Sequence, residues 1–359
     1  MILNQIPLFE TDATNYLVKS PLNYVGGKFR LLNQMYDRES RSVDGEIVER
    51  SRLIPANIRT FVDAFCGGFN VGANAAASTI VGIDLDRDVI DILSWIRETP
   101  TLEALHCIWQ IITRYQLGVS RDTDGTAMGK TSTRRRGALA SVPDSSAAEL
   151  ETQEPSDGHD PYETSYYALR TTYNRARMRG KRKLDGFDMR AILVVLIAHG
   201  WRGNIRFSTR GFNVPYGWRT FNDRQARNFT EFSRRLRIGN ASFQLGPFSD
   251  VEAWDLGEHD YVYLDPPYLI STAPYNENLC WEEEDDRELY AMLDRLHRRG
   301  VRFGVSNVLE HKGNRNEILA AWATNYNMRV LDFNYARAAH PRNKDTSATT
   351  EVFVTNCIV

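Results

Sequence analysis

The feature that most narrows the possible folds is a pair of apolar runs either side of a glycine turn, between Thr60 and Ser94. FVDAF, from Phe61, has the length and apolar density of a buried strand, and CGGFNVG (Cys66 to Gly72) reads as a glycine turn. NAAAS, from Asn74, predicts a short helix, and TIVGIDLD, from Thr79, predicts a second strand ending in acids. Strand, helix and strand in that order begin a parallel sheet, so the fold class is α/β. Gly67 and Gly68 would let the backbone come close to a ligand at the turn, although the spacing departs from GxGxxG. Asp84 ends the second strand where ribose hydroxyls could be bound, and with Asp86 it is equally placed to cap a helix.

Helical periodicity follows from Trp95 to Tyr115. From Gly118 to Asp160 the chain is rich in Ser, Thr, Asp, Gly and Ala and carries the basic triplet Arg134 to Arg136 without a sustained apolar period. It reads as a low-complexity, disordered or mobile insert projecting from the domain surface. Tyr166 to Arg179 and Asp188 to His199 read as helices joined by the basic turn KRKLDG, and Trp201 to Trp218 as a glycine-punctuated hairpin or long loop. Strands are expected at SFQLG, YVYLD, VRFGVSN and EVFVTN, with a helix over Asp285 to Arg299.

At 359 residues and 42% hydrophobic, the chain can bury a full core. Its apolar run Ala191 to Ala198 is too short to span a bilayer, and MILNQIPLFETD lacks the pattern of a secretory signal, so the expected location is the cytoplasm. Cys66, Cys107, Cys280 and Cys357 form no CxxC pair, which argues against a zinc site or a disulfide framework and predicts buried free thiols. A net charge of −2 hides a segregation of charge: Arg170 to Arg237 holds 17 Lys or Arg against four acids, whereas Ile238 to Gly300 holds 14 acids against four Arg. The basic stretch has the signature of a phosphate-binding face; the alternative is a solvated helical surface.

In YVYLDPPY (Tyr261 to Tyr268) an apolar strand runs directly into an acid, two prolines and an aromatic. The acid is held at the carboxyl end of a strand, the edge at which open α/β sheets bind ligands. Pro266 and Pro267 fix φ and lack donors, so Asp265 and Tyr268 are held in a rigid bend with carbonyls free to accept. An amino group conjugated to a purine is a poor nucleophile. Hydrogen bonds from it to the Asp265 carboxylate and the Pro266 carbonyl would make its nitrogen tetrahedral and aim its lone pair at a methyl donor. Tyr268 offers a face on which a base swung out of a duplex can stack. Taken alone, DPPY is equally readable as a rigid turn.

Four blocks in one order carry a family resemblance: NYVGGK (Asn23 to Lys28), FVDAFCGGFNVG, RGNIRFSTRGFNVPYG (Arg202 to Gly217) and LDPPY, with SN (Ser306, Asn307) and EVFVTN following. The sequence resembles the Dam-type adenine-specific DNA methyltransferases over most of its length outside Gly118 to Asp160. The resemblance implies a seven-stranded Rossmann-like sheet for S-adenosylmethionine-dependent methyl transfer, with an inserted helical target-recognition lobe. Residues 1–117 would form the cofactor part, 118–160 the insert, 161–237 the basic lobe and 238–359 the catalytic part. It further implies that Tyr24 and Lys28 contact the cofactor, Asp84 its ribose, and that Asp265 sits between cofactor and adenine. Asp63, Phe65, Gly67 and Asp250 are additional cofactor candidates.

In the DNA-binding block and directly beside it the candidates are Trp201, Arg202, Arg206, Arg210, Asn213, Pro215, Trp218 and Arg219. The arginines would read guanine edges or hold phosphates. Trp201, Phe207, Phe212 and Trp218 would wedge beside a flipped nucleotide or pack as core. RFST, RGFN and Trp218 depart from the family pattern here, so the target sequence does not carry over. The expected partner is double-stranded DNA, bound by a monomer without a metal. Membership of a restriction-modification system, with a cognate restriction endonuclease, stands beside a solitary or phage-borne role. The alternatives are a catalytically silent DNA-binding protein and an amino-methyltransferase acting on cytosine or RNA.

Overall fold

The computed structural model describes residues 17–24, 26–36, 40–43, 46–49, 52–118, 161–270, 281–331 and 349–357. The insert expected after Gly118, its triplet Arg134 to Arg136, and Cys280 lie outside these residues. Seven strands of the described chain build one sheet: β1 (Ile58–Asp63), β2 (Ala77–Asp84), β3 (Ala241–Leu245), β4 (Tyr261–Leu264), β5 (Arg302–His311), β6 (Asn327–Leu331) and β7 (Thr349–Thr355). They lie in the order β6-β7-β5-β4-β1-β2-β3, and a two-residue strand, Asn314–Arg315, folds back onto β5. The five strands from β5 to β3 pair in parallel, while β7 runs antiparallel to β5 and β6.

Side-chain alternation divides the core into two layers. Phe61, Tyr261, Tyr263 and Phe353 face one side, where Phe61 stacks on Tyr261 at 5.7 Å and Tyr263 on Phe353 at 6.3 Å. Val62, Val262, Leu264, Val352 and Val354 face the other. With both faces covered, the strands read as continuous apolar runs. The first face carries α1 (Leu32–Tyr36), α2 (Arg87–Glu98), α3 (Thr101–Arg114) and α6 (Asp223–Ile238); the second carries α7 (Glu283–Arg298) and α8 (Glu317–Ala323). In α2, Val89, Ile92, Leu93 and Ile96 recur at helical spacing and are buried, and Asp86 caps its start by accepting from the Asp88 and Val89 amides.

Two local expectations need correction, and the basic turn takes a more definite form. NAAAS is not a helix: Asn74 accepts from the Val18 amide at 2.7 Å and donates to the Val18 and Asn70 carbonyls at 2.8 Å, while Ala75 is extended (φ −69°, ψ 137°). Its side chain offers the backbone a rival to the helix, and only a 3-10 turn, Gly72–Asn74, forms. The run from Trp95 to Tyr115 is broken, because Pro100 cannot continue α2 and instead precedes α3. KRKLDG is a small hairpin pairing Lys183–Leu184 with Phe187–Asp188 through Asp185 (φ 50°) and Gly186 (φ 88°), the residue types that a two-residue turn with positive φ requires.

Between α3 and α6 lies a helical pair, α4 (Pro161–Met178) and α5 (Met189–His199). The apolar run of α5 is buried on all sides among α2, α3 and α4, with Asp188 as its cap. Arg237, at the end of α6, donates to the Ile96 and Thr99 carbonyls that finish α2, so this member of the basic stretch is structural. Of the described cysteines, Cys66 is buried and Cys107 and Cys357 are half-buried free thiols. Among the described residues no helix is long and apolar enough to cross a membrane.

Candidate active site

The order of strands turns back between β1 and β4, and a crevice opens there at the carboxyl ends of the strands. Asp63 ends β1, Asp84 ends β2 and Asp265 follows β4, so all three acids reach the same edge. The cleft is walled by Tyr24, Lys28, Asp63, Phe65, Gly67 and Asp265, among others.

The amino-terminal segment is fastened to the glycine turn. Asn74 holds Val18, and the Asn70 side chain accepts from the Ser20 amide at 3.0 Å. Gly67 has φ +43°, and a Cβ there would lie 2.8 Å from the Tyr24 ring; a Cβ at Gly68 would lie 2.8 Å from the Leu22 carbonyl. The two glycines therefore admit the chain's own segment to the turn, and Tyr24 forms a wall of the cleft. The Gly27 amide closes a turn onto the Tyr24 carbonyl at 3.1 Å, and a 3-10 helix (Lys28–Leu31) begins with Lys28 directed inward.

Lys28 is buried at 4% exposure. Its Nζ lies 2.8 Å from Asp265 Oδ2 and 3.2 Å from Glu351 Oε1, and donates to the Gly26 carbonyl at 3.0 Å and to the Tyr268 hydroxyl. The Tyr268 hydroxyl is in turn 3.0 Å from Asp265 Oδ1 and 3.0 Å from Glu351 Oε1. Burial works against the Lys28 charge, yet the Asp265 and Glu351 carboxylates outweigh it and hold the ammonium above its ordinary range. Burial lifts the Asp265 carboxyl above the usual carboxylate range, against the pull of Lys28. Pro266 is buried and Pro267 half-buried, so the bend after β4 is packed rather than loose. The Tyr268 hydroxyl is engaged in the cluster, while its ring is only half-buried.

Asp63 is 2% exposed and accepts from the Gly72 amide at 3.0 Å. Burial pushes its carboxyl up to about 8, with the charges of Asp265 and Asp84 adding to the shift. Asp84 lies behind the turn, taking the Gly67 amide at 2.8 Å and the Asp86 amide at 2.9 Å, and burial raises it despite these donors. Phe65 extends the cleft into an aromatic wall, stacked on Phe248 at 5.2 Å with Trp281 edge-on at 5.8 Å. Asp250 stands apart on the 3-10 helix Phe248–Ala253, accepting from Gln244 at 3.2 Å, and does not line the cleft.

The basic loop is held by α4 rather than by a sheet. Asn174 brackets Phe212, accepting from its amide and donating to its carbonyl at 2.9 Å each, while Tyr166 and Arg170 donate to the Val214 carbonyl at 2.9 and 2.8 Å. Phe207–Ser208 and Gly211–Phe212 make the expected hairpin, with Arg210 exposed at its turn. Trp201 and Trp218 are 48% and 63% exposed; the Arg202 guanidinium lies over the Trp201 ring and Trp218 leans on Tyr216. Phe212 is buried core. Arg206 and Asn213 bond each other at 2.8 Å, Pro215 is exposed and its carbonyl takes the Trp201 amide, and Arg219 is half-buried beside Gly203. Asn23 pairs with Asn204 and donates to the Arg202 carbonyl at 2.7 Å, so one segment touches both loop and cleft.

Glu351, Phe248 and Trp281 escaped the sequence reading. The signal for Glu351 was an acid inside the apolar strand pattern EVFVTN, a position where an unpaired charge is costly. Phe248 and Trp281 carry no such mark, because aromatics are common beside any strand end.

Sequence comparison adds relatives to this geometry. The chain is 31% identical over 350 residues to the type II methyltransferase M.FokI of Planomicrobium okeanokoites, covering 96% of this chain and 43% of that protein. It is 29% identical to modification methylase StsI of Streptococcus sanguinis, covering 96% and 44%, and 27% identical to modification methylase LlaI of Lactococcus lactis subsp. lactis, covering 94% and 43%. The chain thus spans less than half the length of these curated relatives. A family model for D12 class N6 adenine-specific DNA methyltransferases matches residues 135–336. With more than half of its length matched in this way, and with the crevice, the acid-proline bend and the α/β sheet in place, the chain belongs to the D12 class of N6 adenine-specific DNA methyltransferases.

Proposed function

We propose that this chain transfers a methyl group from S-adenosylmethionine to the exocyclic amino group of an adenine swung out of duplex DNA. The observation that carries the reading is the half-buried Asp265 at the end of β4, set at the turning point of the sheet beside a cleft and held by the buried Lys28. The cleft suits the cofactor: it has an aromatic wall at Phe65, a buried acid at Asp63 able to face a cation, and Tyr24 packed over the glycine turn. When bound there, S-adenosylmethionine supplies an electrophilic methyl group.

The chain's own residues do the rest. Tyr24, Lys28, Phe65 and Gly67 shape the cleft, Asp63 ionises as positive charge enters it, and Asp84 fixes the turn. Asp250, off the cleft wall, has the weakest case of the cofactor candidates. Asp265 and the Pro266 carbonyl accept the two amino hydrogens and turn the nitrogen lone pair toward the methyl carbon. Pro267 stiffens the bend, and the accessible part of the Tyr268 ring supports the base. Residues 161–237 provide the face for DNA, where the exposed Trp201, Arg202, Arg206, Arg210 and Trp218 are the contacts; Asn213, Pro215 and Arg219 hold the loop in shape. The relatives' naming as modification methylases favours a protective role beside a restriction endonuclease.

Incubation of the purified chain with mixed-sequence plasmid and S-adenosylmethionine, followed by nucleoside mass analysis and long-read sequencing, tests the proposal. N6-methyladenine confined to one short motif is the expected product. Methylcytosine, or methylated RNA with untouched DNA, would contradict it.

A further inference from the structure

Glu351 belongs to the buried cluster, yet orienting the amino group does not require it. Four oxygens surround Lys28 Nζ, those of Gly26, Asp265, Glu351 and Tyr268, and an ammonium has three protons. The Tyr268 hydroxyl has one proton and two carboxylate oxygens at 3.0 Å, Asp265 Oδ1 and Glu351 Oε1. The cluster therefore has more acceptors than protons, and Tyr268 can donate to either carboxylate. A hydroxyl held between two carboxylates is a bridge along which a proton can pass.

Building on the methyl-transfer reading, we propose that Glu351 receives, through Tyr268, the proton that the adenine amino group must release. The amino lone pair forms the new nitrogen–carbon bond, while the methyl–sulfur bond breaks with its electron pair returning to sulfur. The cationic nitrogen then gives one proton to Asp265. Asp265 hands it to the Tyr268 oxygen as the original Tyr268 proton moves to Glu351. At the end Asp265 is again a carboxylate, Tyr268 a neutral phenol and Glu351 a neutral acid, so charge and protons balance. Lys28 stays charged throughout, and its hydrogen bond to Tyr268 makes the phenol a readier donor.

The test is single-turnover methylation of a duplex with labelled S-adenosylmethionine at saturating protein, comparing wild type, E351Q, Y268F and the double variant. Each single change is expected to lower the rate at least about tenfold, within the range for proton-transfer assistance. The double variant should be no slower than the slower single, because both interrupt one path. Dissociation constants for DNA and cofactor should stay within about twofold, as neither change removes a group proposed to contact them directly by its charge. Asp265 is faced by Lys28 from the amino-terminal segment, Glu351 from β7, Asp63 from β1, Tyr263 from β4 and Tyr268 from its own bend. Removing the Glu351 charge should shift the acid limb of the rate to lower pH, since that charge helps to raise Asp265. A Glu351 that only packed, without its charge acting on Asp265, would leave the limb in place. E351Q at the wild-type rate, an unmoved limb, or multiplicative losses in the double variant would overturn the relay. Should E351Q fail to fold, Y268F at the wild-type rate overturns it alone. Absence of transfer by wild type would strike the methyl-transfer reading itself, whereas transfer indifferent to Glu351 strikes only the relay.

Discussion

At the strand ends Lys28 and Glu351 are buried, Asp265 and Tyr268 are half-buried, and the four bond one another, whereas in the loop held by α4 Trp201, Arg202, Arg210 and Trp218 stand exposed. The difference follows from what each charge must meet. A charge in a dry site needs its counter-charge built into the fold, or the desolvation cost unfolds the site. A charge meant for phosphate gains by staying hydrated until counterions are released on binding. Changes in the first region should therefore disturb folding and chemistry together, and changes in the second should disturb binding alone.

The contrast is sharpest for Lys28→Met, which leaves Asp265 and Glu351 as two neighbouring acids without a cation. We expect it to cost about 3–5 kcal/mol of stability in a urea titration, the usual range for breaking a buried pair. Adding E351Q should recover part of the loss; no recovery would mean that the pairing of charges is not what holds the cluster. The loop gives the opposite pattern. Alanine at Arg202, Arg206 and Arg210 together should weaken DNA binding by on the order of a hundredfold at low salt and flatten the salt dependence, with the thermal midpoint little changed. A lower midpoint with an unchanged salt slope would erase the distinction.

Asp63 probes the cleft through pH. Its carboxyl, raised to about 8, keeps in the folded state a proton that the unfolded chain has already released. Its contribution to stability is therefore complete below the unfolded value near 4 and is lost progressively as pH rises toward 8. Asp63→Asn, still able to accept from Gly72, removes that decline. The variant should gain on wild type by up to about 4 kcal/mol between pH 5 and pH 8 in denaturant titrations, about 1.4 kcal/mol for each pH unit. A constant difference across that window would place the ionised form in the fold. The smallest effect belongs to Trp218→Ala: at 63% exposure it should change stability by less than about 0.5 kcal/mol while weakening DNA binding several-fold.

Sequence periodicity was enough for the sheet because both of its faces are covered, which leaves long apolar runs such as YVYLD and VRFGVSN in plain view. The acid-proline bend could be read because few residues can follow a strand in that way. What stayed hidden depends on contacts between distant segments. Asn74 turned NAAAS away from a helix by bonding Val18, 56 positions earlier, and Gly67 and Gly68 proved to make room for Tyr24. Glu351 reaches Tyr268 across 83 positions, a pairing that no local pattern encodes. The basic stretch likewise mixed roles: Arg237 closes α2 while Arg210 faces water, and only burial distinguishes them.

The central claim is that Asp265 acts on the amino group and not on DNA binding. Asp265→Ala, assayed for methyl transfer to duplex DNA at saturating DNA and cofactor and for DNA affinity by titration, tests it most directly. The account predicts loss of transfer by at least about a thousandfold, in line with losing both orientation and charge stabilisation, with DNA affinity within a few-fold of wild type. Transfer at an undiminished rate, or loss explained wholly by failure to bind DNA, would contradict it.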